Sequence, residues 1–470
     1  MKRAIEIEIL DAVTSKIDSS YESKVQACLS YKSVYWRQGQ YRKEKKEYLK
    51  KAYKVKGKNL FFGTGLLPRV KAFLTYQKLA YRINEPDPIR VNGKIERAKK
   101  IKSMDGKIIT LRDDQMEAVS IAVRTERGIL KSATGTGKSY LMLGVLCCID
   151  PTENVLILCH NTSIIQQLYD EFKTFFKSIQ MFGGDVDPLE KFKPFKKQII
   201  LSTIQSFVLI DPKNYCDYFS AVFVDEAHRI SSSDGTYGKV LSNILAPMRL
   251  GFTATPPTTM ESIFAYESLL GPIIFEFGIN KAAEKDVLAK PKVKLIKAQF
   301  PPDLRDMRDY HTVYYHGIVN NKSRNRQVIE IIRDCVARDE SILIFVNKIE
   351  HGNNLLEIAD EVGLELGFVQ GSSTTEVRER VKHELKTGGM KAVVATSVWK
   401  EGINIPSLNN ILNAGGGKSE IQTLQNVGRG LRITEDKKTI VIYDFFDSGH
   451  PYLIAHAGER ICIYMENDWM

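Results

Sequence analysis

Between about residue 105 and 285 the chain alternates short contiguous apolar runs with longer amphipathic stretches. The runs at 129–133, 155–160, 198–203, 221–227 and 248–255 are apolar at consecutive rather than alternate positions, the pattern of strands buried on both faces. The stretches between them, such as 139–149 and 162–176, have helical length and spacing. This predicts an α/β fold built on a parallel sheet, with function at the carboxyl ends of the strands. The pattern starts again near residue 290, with runs at 341–347, 364–370, 392–397, 409–415 and 439–445 and a helical stretch at 376–388. Two similar α/β units in series are expected. No short repeat or low-complexity tract suggests a solenoid.

Ahead of these units, residues 84–109 hold Pro86, Pro88, Gly93 and Gly106 among lysines, and read as a linker or extended hairpin. The expected organisation is therefore a small α+β domain over 1–105, a first α/β domain over 106–288 and a second over 289–470. A chain of 470 residues fits this division, at about 100 to 200 residues per domain. With 43% hydrophobic and 26% charged residues, the composition is that of an ordinary globular protein. No window approaches the roughly 18 consecutive apolar residues of a spanning helix, and the first ten residues alternate charge with apolar side chains. The expectation is a cytoplasmic protein without a membrane partner. The 7 cysteines are dispersed and form no C-x-x-C pair, so neither a disulfide framework nor a zinc site is indicated and buried thiols are expected.

The net charge of +11 is unevenly placed. Residues 1–110 carry 26 Lys and Arg against 11 Asp and Glu, whereas the remainder carries 41 against 45. Basic residues interleave with aromatics from Tyr31 to Lys58, among them Tyr35, Trp36, Arg37, Tyr41, Lys45, Lys46 and Tyr48. Such a segment can neutralise phosphates and stack on bases. The aromatics also suit a small domain core. The charge excess points to nucleic acid.

The chemistry concentrates after the apolar run Gly128 to Leu130. Ser132-Ala133-Thr134-Gly135-Thr136-Gly137-Lys138-Ser139 stands between a strand and a helix, the context of a phosphate-binding loop. Glycines let backbone N–H groups turn toward phosphate oxygens, Lys138 reaches the β- and γ-phosphates, and Ser139 offers an oxygen to Mg²⁺. A second strand, Ala221-Val222-Phe223-Val224, ends in Asp225-Glu226-Ala227-His228. Asp225 is assigned to the metal and Glu226 to deprotonation of the attacking water, with His228 coupling that site to the other domain. The required small molecules are ATP and Mg²⁺. Asn413 to Ser419, with Asp444 at the end of a neighbouring strand, imitates this arrangement, but Glu420 follows Lys418-Ser419 and no second carboxylate adjoins Asp444. A second nucleotide site is not expected there.

Taken in order, these motifs resemble the superfamily 2 helicases and translocases. Leu111-Arg112-Asp113-Asp114-Gln115 is similar to that family's adenine-reading motif, which implies base contacts from Arg112 and Gln115. Asp114 stands where relatives often have an aromatic. His160-Asn161-Thr162 and Ser202-Thr203-Ile204-Gln205 fall where the family contacts the nucleic-acid backbone, implying roles for Asn161, Thr162, Thr203 and Gln205. Thr253-Ala254-Thr255-Pro256 resembles its coupling motif. In the second unit the resemblance continues through Asn347 and Lys348, Gly371 and Thr396 as nucleic-acid contacts, and Gly402 beside the nucleotide. Asn404 replaces a common aspartate. Last comes Gln425-Asn426-Val427-Gly428-Arg429-Gly430-Leu431-Arg432, in which Gln425 accompanies two arginine fingers, Arg429 and Arg432, that offset transition-state charge.

The spelling of the coupling and arginine motifs, together with Gly317 to Asn325, is most similar to phage repair and branch-migration helicases of the UvsW type and to type III restriction motors. This implies an ATP-driven DNA motor on branched DNA or single-strand/duplex junctions, working with replication or recombination proteins, in the host cytoplasm if phage-encoded. It also implies 3′ to 5′ travel. Competing readings are a duplex translocase that does not part strands, an RNA helicase, and a non-catalytic scaffold; the lysine, paired acids and arginines argue against the last. His311 and His316 lack metal-ligand spacing and read as ordinary polar residues.

Overall fold

A computed structural model describes residues 4–38, 43–85, 94–183, 199–396, 408–417 and 439–470. The chain divides into two compact units: residues 1–132 with 137–277, and residues 278–470 with the four loop residues 133–136 grouped with them.

The first unit opens with strands β1 (Ile5–Ile9), β2 (Thr14–Asp18), β3 (Ser30–Gln38), β4 (Lys43–Lys51), β5 (Tyr53–Lys56), β6 (Asn59–Gly63) and β7 (Tyr81–Asn84). Five of them form a sheet in the order β5-β6-β2-β1-β7. β1 alternates strictly, with Ile5 and Ile7 buried and Glu6 and Glu8 exposed, so one face packs while the other meets water. The helices Glu22–Leu29 and Leu67–Tyr76 contribute Val25, Leu29, Val70 and Leu74 to this core. β3 and β4 stay outside the sheet and pair only with each other among the described residues. The short antiparallel pair β8 (Ile101–Lys102) and β9 (Ile108–Ile109) follows, placing a hairpin in the latter part of the linker region.

Next come β10 (Arg127–Ser132), β11 (Val155–Cys159), β12 (Ile179–Phe182), β13 (Ile199–Thr203), β14 (Ala221–Asp225), β15 (Met248–Thr253) and β16 (Ile273–Phe277). All are parallel, in the order β12-β13-β11-β14-β15-β10-β16. The central strands β11, β13, β14 and β15 are buried at every position, which is why they read as continuous apolar runs.

The basic N-terminal module is joined tightly to this layer. Phe264, on the helix Met260–Leu270, belongs to the module's core and stacks on Tyr31 with centroids 4.8 Å apart. Arg69 donates to Glu267 at 2.6 and 3.0 Å and lies over the Phe264 ring. Gly63 and Gly65 press against the same helix: a Cβ at Gly65 would lie 2.0 Å from the Glu267 carbonyl oxygen. Arg249 is fully buried, has no carboxylate partner among the described residues, and donates to the Leu241, Ile244 and Leu269 carbonyls at 2.7, 2.5 and 2.7 Å, tying β15 to the far end of that helix.

The second unit holds a six-stranded parallel sheet of β17 (Lys290–Lys297), β18 (Ile342–Phe345), β19 (Gly367–Val369), β20 (Ala392–Ala395), β21 (Asn410–Asn413) and β22 (Thr439–Phe446), in the order β17-β22-β21-β18-β20-β19. Its core is built on Ile342, Ile344, Val394, Leu412 and Phe445 with Val328 and Ile332 of the helix Lys322–Ala337. Cys28, Cys148, Cys159 and Cys335 are buried, but Cys147 and Cys216 are partly open and Cys462 is exposed, so buried thiols describe only four of the seven.

Candidate nucleotide and nucleic-acid site

Because the seven-stranded sheet is wholly parallel, its carboxyl strand ends share one edge, and residues singled out from the sequence collect there. The loop after β10 places Gly135 and Gly137 at φ 88° and 91°, a region that favours glycine. Gly137 is constrained twice, since a Cβ there would lie 2.8 Å from Gln115 Nε2. Gln115 is buried and its Oε1 accepts the Arg112 backbone N–H at 3.1 Å. Asp114, also buried, grips the Arg112 guanidinium with both oxygens at 3.0 and 2.9 Å. Thr134 is half-buried, and Thr136 closes the loop by donating to the Ala133 carbonyl at 2.7 Å.

Lys138 opens the helix Lys138–Cys148, and its Nζ lies 3.3 Å from Glu226 Oε1. Glu226 follows the end of β14 with φ 48° and ψ 51°, a left-handed conformation for a side-chain-bearing residue; such backbone strain, about 1–3 kcal/mol, collects at functional sites. The other Glu226 oxygen is 3.2 Å from His228 Nδ1, which is also 3.1 Å from Thr253 Oγ1. Thr253 Oγ1 in turn accepts the Thr255 N–H at 3.2 Å. A polar chain thus runs from the lysine through the carboxylate and histidine to the motif ending β15. Burial opposes ionisation of Glu226, but Lys138 and His228 together hold its carboxyl well below the usual range. Burial, with Glu226 adjacent, pushes Asp225 above the usual carboxylate range.

Asp225 Oδ1 is buried and has no hydrogen-bond partner among the described residues, and the Ser139 hydroxyl is half-buried with Glu171 Oε1 at 3.4 Å. A hydroxyl and an unsatisfied carboxylate oxygen are the hard donors that suit Mg²⁺, which keeps several waters and needs few protein ligands. Among the described residues no cluster of three or more His, Cys, Asp or Glu forms an independent metal site, His311 and His316 included.

On the same edge, Asn161 Oδ1 accepts the Ser163 N–H at 2.9 Å and Thr203 Oγ1 accepts the Ser206 N–H at 3.0 Å, each capping the helix it precedes. Thr162 and Gln205 are exposed beside them. In the second unit Thr396 is buried just past β20, while Lys348 and Gly371 are exposed. Asn347 is committed inward: its Nδ2 donates to the Gly415 and Gly416 carbonyls at 3.0 and 3.4 Å. Gly402, Gln425, Arg429 and Arg432 lie outside the described residues.

No motif in the sequence signals what holds the 414–417 loop. Arg324 donates to the Ala414 carbonyl at 2.7 Å, Tyr314 to Gly415 at 2.7 Å and Arg460 to Gly417 at 2.6 Å. Asp444, the acid that imitated a second metal ligand, is paired with Arg460 at 2.8 Å and Tyr464 at 2.7 Å. The Asp114 clamp on Arg112 was missed too; a short-range acid–arginine spacing was its only signal.

Comparison with known proteins agrees with this layout. Residues 108–258 match the family described as "Type III restriction enzyme, res subunit" and residues 323–434 match "Helicase conserved C-terminal domain"; together they span more than half of the chain. The chain belongs to the superfamily 2 helicases. Among relatives of this helicase, "ATP-dependent DNA helicase uvsW" of Enterobacteria phage T4 is 23% identical over 75% of this chain and 74% of its own. "DNA 3'-5' translocase XPB2" of Sulfurisphaera tokodaii is 25% identical over 71% of this chain and 81% of its own. A solved structure of S. cerevisiae Dbp5 bound to RNA and ADP BeF3 aligns with a TM-score of 0.51 at 16% identity, over 77% of this chain and 92% of that one. That likeness concerns the fold. The two parallel sheets of the helicase are RecA-like domains, and no helix among the described residues is long and apolar enough to cross a membrane.

Proposed function

We propose that the chain is an ATP-dependent DNA helicase that acts on branched or forked DNA in replication, recombination or repair. The observation that carries the reading is the polar chain from Lys138 through Glu226 and His228 to Thr253, on the sheet edge that also bears Asn161 and Thr203. It connects a phosphate-binding lysine to a coupling motif beside candidate strand contacts. The names of the phage T4 and Sulfurisphaera tokodaii relatives support DNA as the track and 3′ to 5′ as the direction.

In this reading Lys138 leaves Glu226 to bind the phosphates of ATP, which frees the Glu226 carboxylate to orient and accept a proton from the attacking water. His228 then passes the change at Glu226 to Thr253. Ser139 and Asp225 would hold Mg²⁺, which when bound offsets phosphate charge. Arg112 and Gln115 read the base, Thr134 to Gly137 cradle the phosphates, and Gly402 completes the nucleotide site. Arg429 and Arg432, with Gln425, supply positive charge to the transition state. Thr162, Gln205, Lys348, Gly371 and Thr396, with Asn161, Thr203 and Asn347, contact the DNA backbone, so binding has little sequence preference and a steep salt dependence. The organisation proposed is 1–105 for DNA anchoring, 106–288 for ATP and 289–470 for the second motor domain. Cytoplasmic replication or recombination proteins are its proposed partners.

The test is ATP-dependent strand separation on a four-way junction, a fork and a tailed duplex, with Lys138→Ala as blank. Preferential processing of the junction and fork is expected, and equal processing of all three would overturn the branched-DNA assignment. The match of residues 108–258 to the restriction-motor family supports a second reading, a duplex translocase. ATP turnover with no strand separation would favour it, and stimulation by RNA rather than DNA would favour an RNA helicase.

A further inference from the structure

The β3–β4 ribbon has no role in the nucleotide site and no place in a core sheet. Its strands are 9 residues each, in unbroken register from Ser30 opposite Lys51 to Gln38 opposite Lys43, so it extends about 30 Å at roughly 3.3 Å per residue. Residues 30–51 hold 8 Lys and Arg against 2 acidic residues. Along it Lys32, Lys46, Tyr48 and Leu49 are exposed, Tyr48 at 41% and Leu49 at 52%. An isolated two-stranded ribbon is marginal in water, and this one is held at one end. Lys50 pairs with Glu261, Ser33 donates to Glu261 at 3.4 Å, Tyr31 stacks on Phe264, and Lys51 pairs with Glu22 at 2.8 Å.

The position of that root matters. Glu261 lies in the first turn of the helix Met260–Leu270, which starts just past the coupling motif at the end of β15. The ribbon is therefore anchored on the strand-end edge that carries Asn161, Thr203 and Thr253. At its base is a cleft of about 480 Å³ lined by Tyr31, Lys54, Phe61, Ser232 and Asp234, the last two from the loop following Glu226 and His228.

We propose that the ribbon is the duplex-binding element of this protein, and that it lies in the major groove of double-stranded DNA next to the strand held on the sheet edge. The occupant follows from charge and shape. The ribbon is strongly basic, both its strands are free of other strands among the described residues, and the B-form major groove, about 12 Å wide, admits a two-stranded β-ribbon. The narrow, deep major groove of A-form RNA does not, so the element selects duplex DNA over duplex RNA. The inference deepens the helicase reading by naming the nucleic-acid form that the N-terminal module recognises.

The experiment compares the full chain with a Lys32→Gln, Lys45→Gln, Lys46→Gln variant; Lys32 and Lys46 are exposed. Anisotropy titrations without nucleotide would use a blunt DNA duplex, a single-stranded DNA and a duplex RNA of equal length over a range of salt. The expected result is duplex-DNA affinity lowered about tenfold or more, with the salt slope reduced by about 3. Single-strand affinity should change by less than about twofold by the same argument, because those contacts lie on the sheet edge. Unmodified protein should bind duplex RNA more weakly than duplex DNA. Equal losses on all three ligands would overturn the proposal by making the ribbon a nonspecific charge, and no loss on any would give it another occupant, such as a protein. Failure of strand separation with the ribbon effect intact would instead overturn the helicase reading alone.

Discussion

Replacing Arg460 by Met tests the account of the second unit's buried ion pair. Asp444 is 1% exposed, and its carboxylate accepts Arg460 Nε at 2.8 Å and Nη2 at 3.1 Å, the Tyr464 hydroxyl at 2.7 Å and Asn413 Nδ2 at 3.2 Å. Removing the guanidinium strands a buried negative charge, and breaking such a pair from one side costs about 3–5 kcal/mol. Tyr464→Phe removes one hydrogen bond to a charged acceptor, a loss of about 1.5–3 kcal/mol. Replacing both partners, Arg460→Met with Asp444→Leu, removes the stranded charge as well, and such double replacements are often near neutral. The order of stability should therefore be wild type, then Tyr464→Phe and the double variant, whose buried Tyr464 hydroxyl has lost its acceptor, then Arg460→Met. Trp469 is buried with its ring 6.2 Å from Tyr464, so urea unfolding followed by its fluorescence, with Trp36 and Trp399 replaced by Phe, reports on this unit. A double variant as unstable as the sum of its single changes would refute the reasoning.

Burial, aided by the Arg324 guanidinium, pushes His351 down to about 3 from 6.5; the unfolded state then binds more protons between those values, so stability is full above pH 6.5 and falls as pH drops through the window. His351→Gln should flatten this slope by up to about 1.4 kcal/mol per pH unit, read from urea midpoints at pH 7, 6 and 5, and parallel curves would contradict the assignment. Asp114→Asn, by loosening the Arg112 clamp, should raise KM for ATP by about threefold to tenfold while leaving kcat within about twofold, as loss of a uniform binding contact does; a pure fall in kcat would refute it. Gly65→Ala forces a Cβ against the Glu267 and Ser268 carbonyls, so limited proteolysis should release the N-terminal module sooner than in wild type, and an unchanged digestion pattern would count against the close packing.

The nucleotide strands were legible because a strand buried on both faces leaves an unbroken apolar run, as in Val155–Cys159 and Ala221–Asp225. The edge strands were not: Lys290–Lys297 puts lysines at alternate positions and Ile179–Phe182 is mostly half-buried, so neither carries that run. Lys138, Asp225 and Glu226 could be named from local spacing alone. The inward turn of Asn347 and the grip of Arg324 on Ala414 could not, because those contacts join residues 68 and 90 positions apart. Long-range hydrogen bonding of this kind leaves no periodicity to read.

The shared core between the N-terminal sheet and the helix Met260–Leu270 limits how the chain can be cut or recombined. A breakpoint near residue 105, natural from the linker composition, would separate Phe264 from its neighbours and leave Glu267 without Arg69. A deletion series or a chimera that swaps the first hundred residues would therefore expose an apolar face on the motor domain, and its defects would mix lost DNA contacts with a damaged surface. A clean exchange must carry that helix with the module, although about 150 residues of sequence separate them. The two segments should consequently diverge together, each keeping the shape that the other requires.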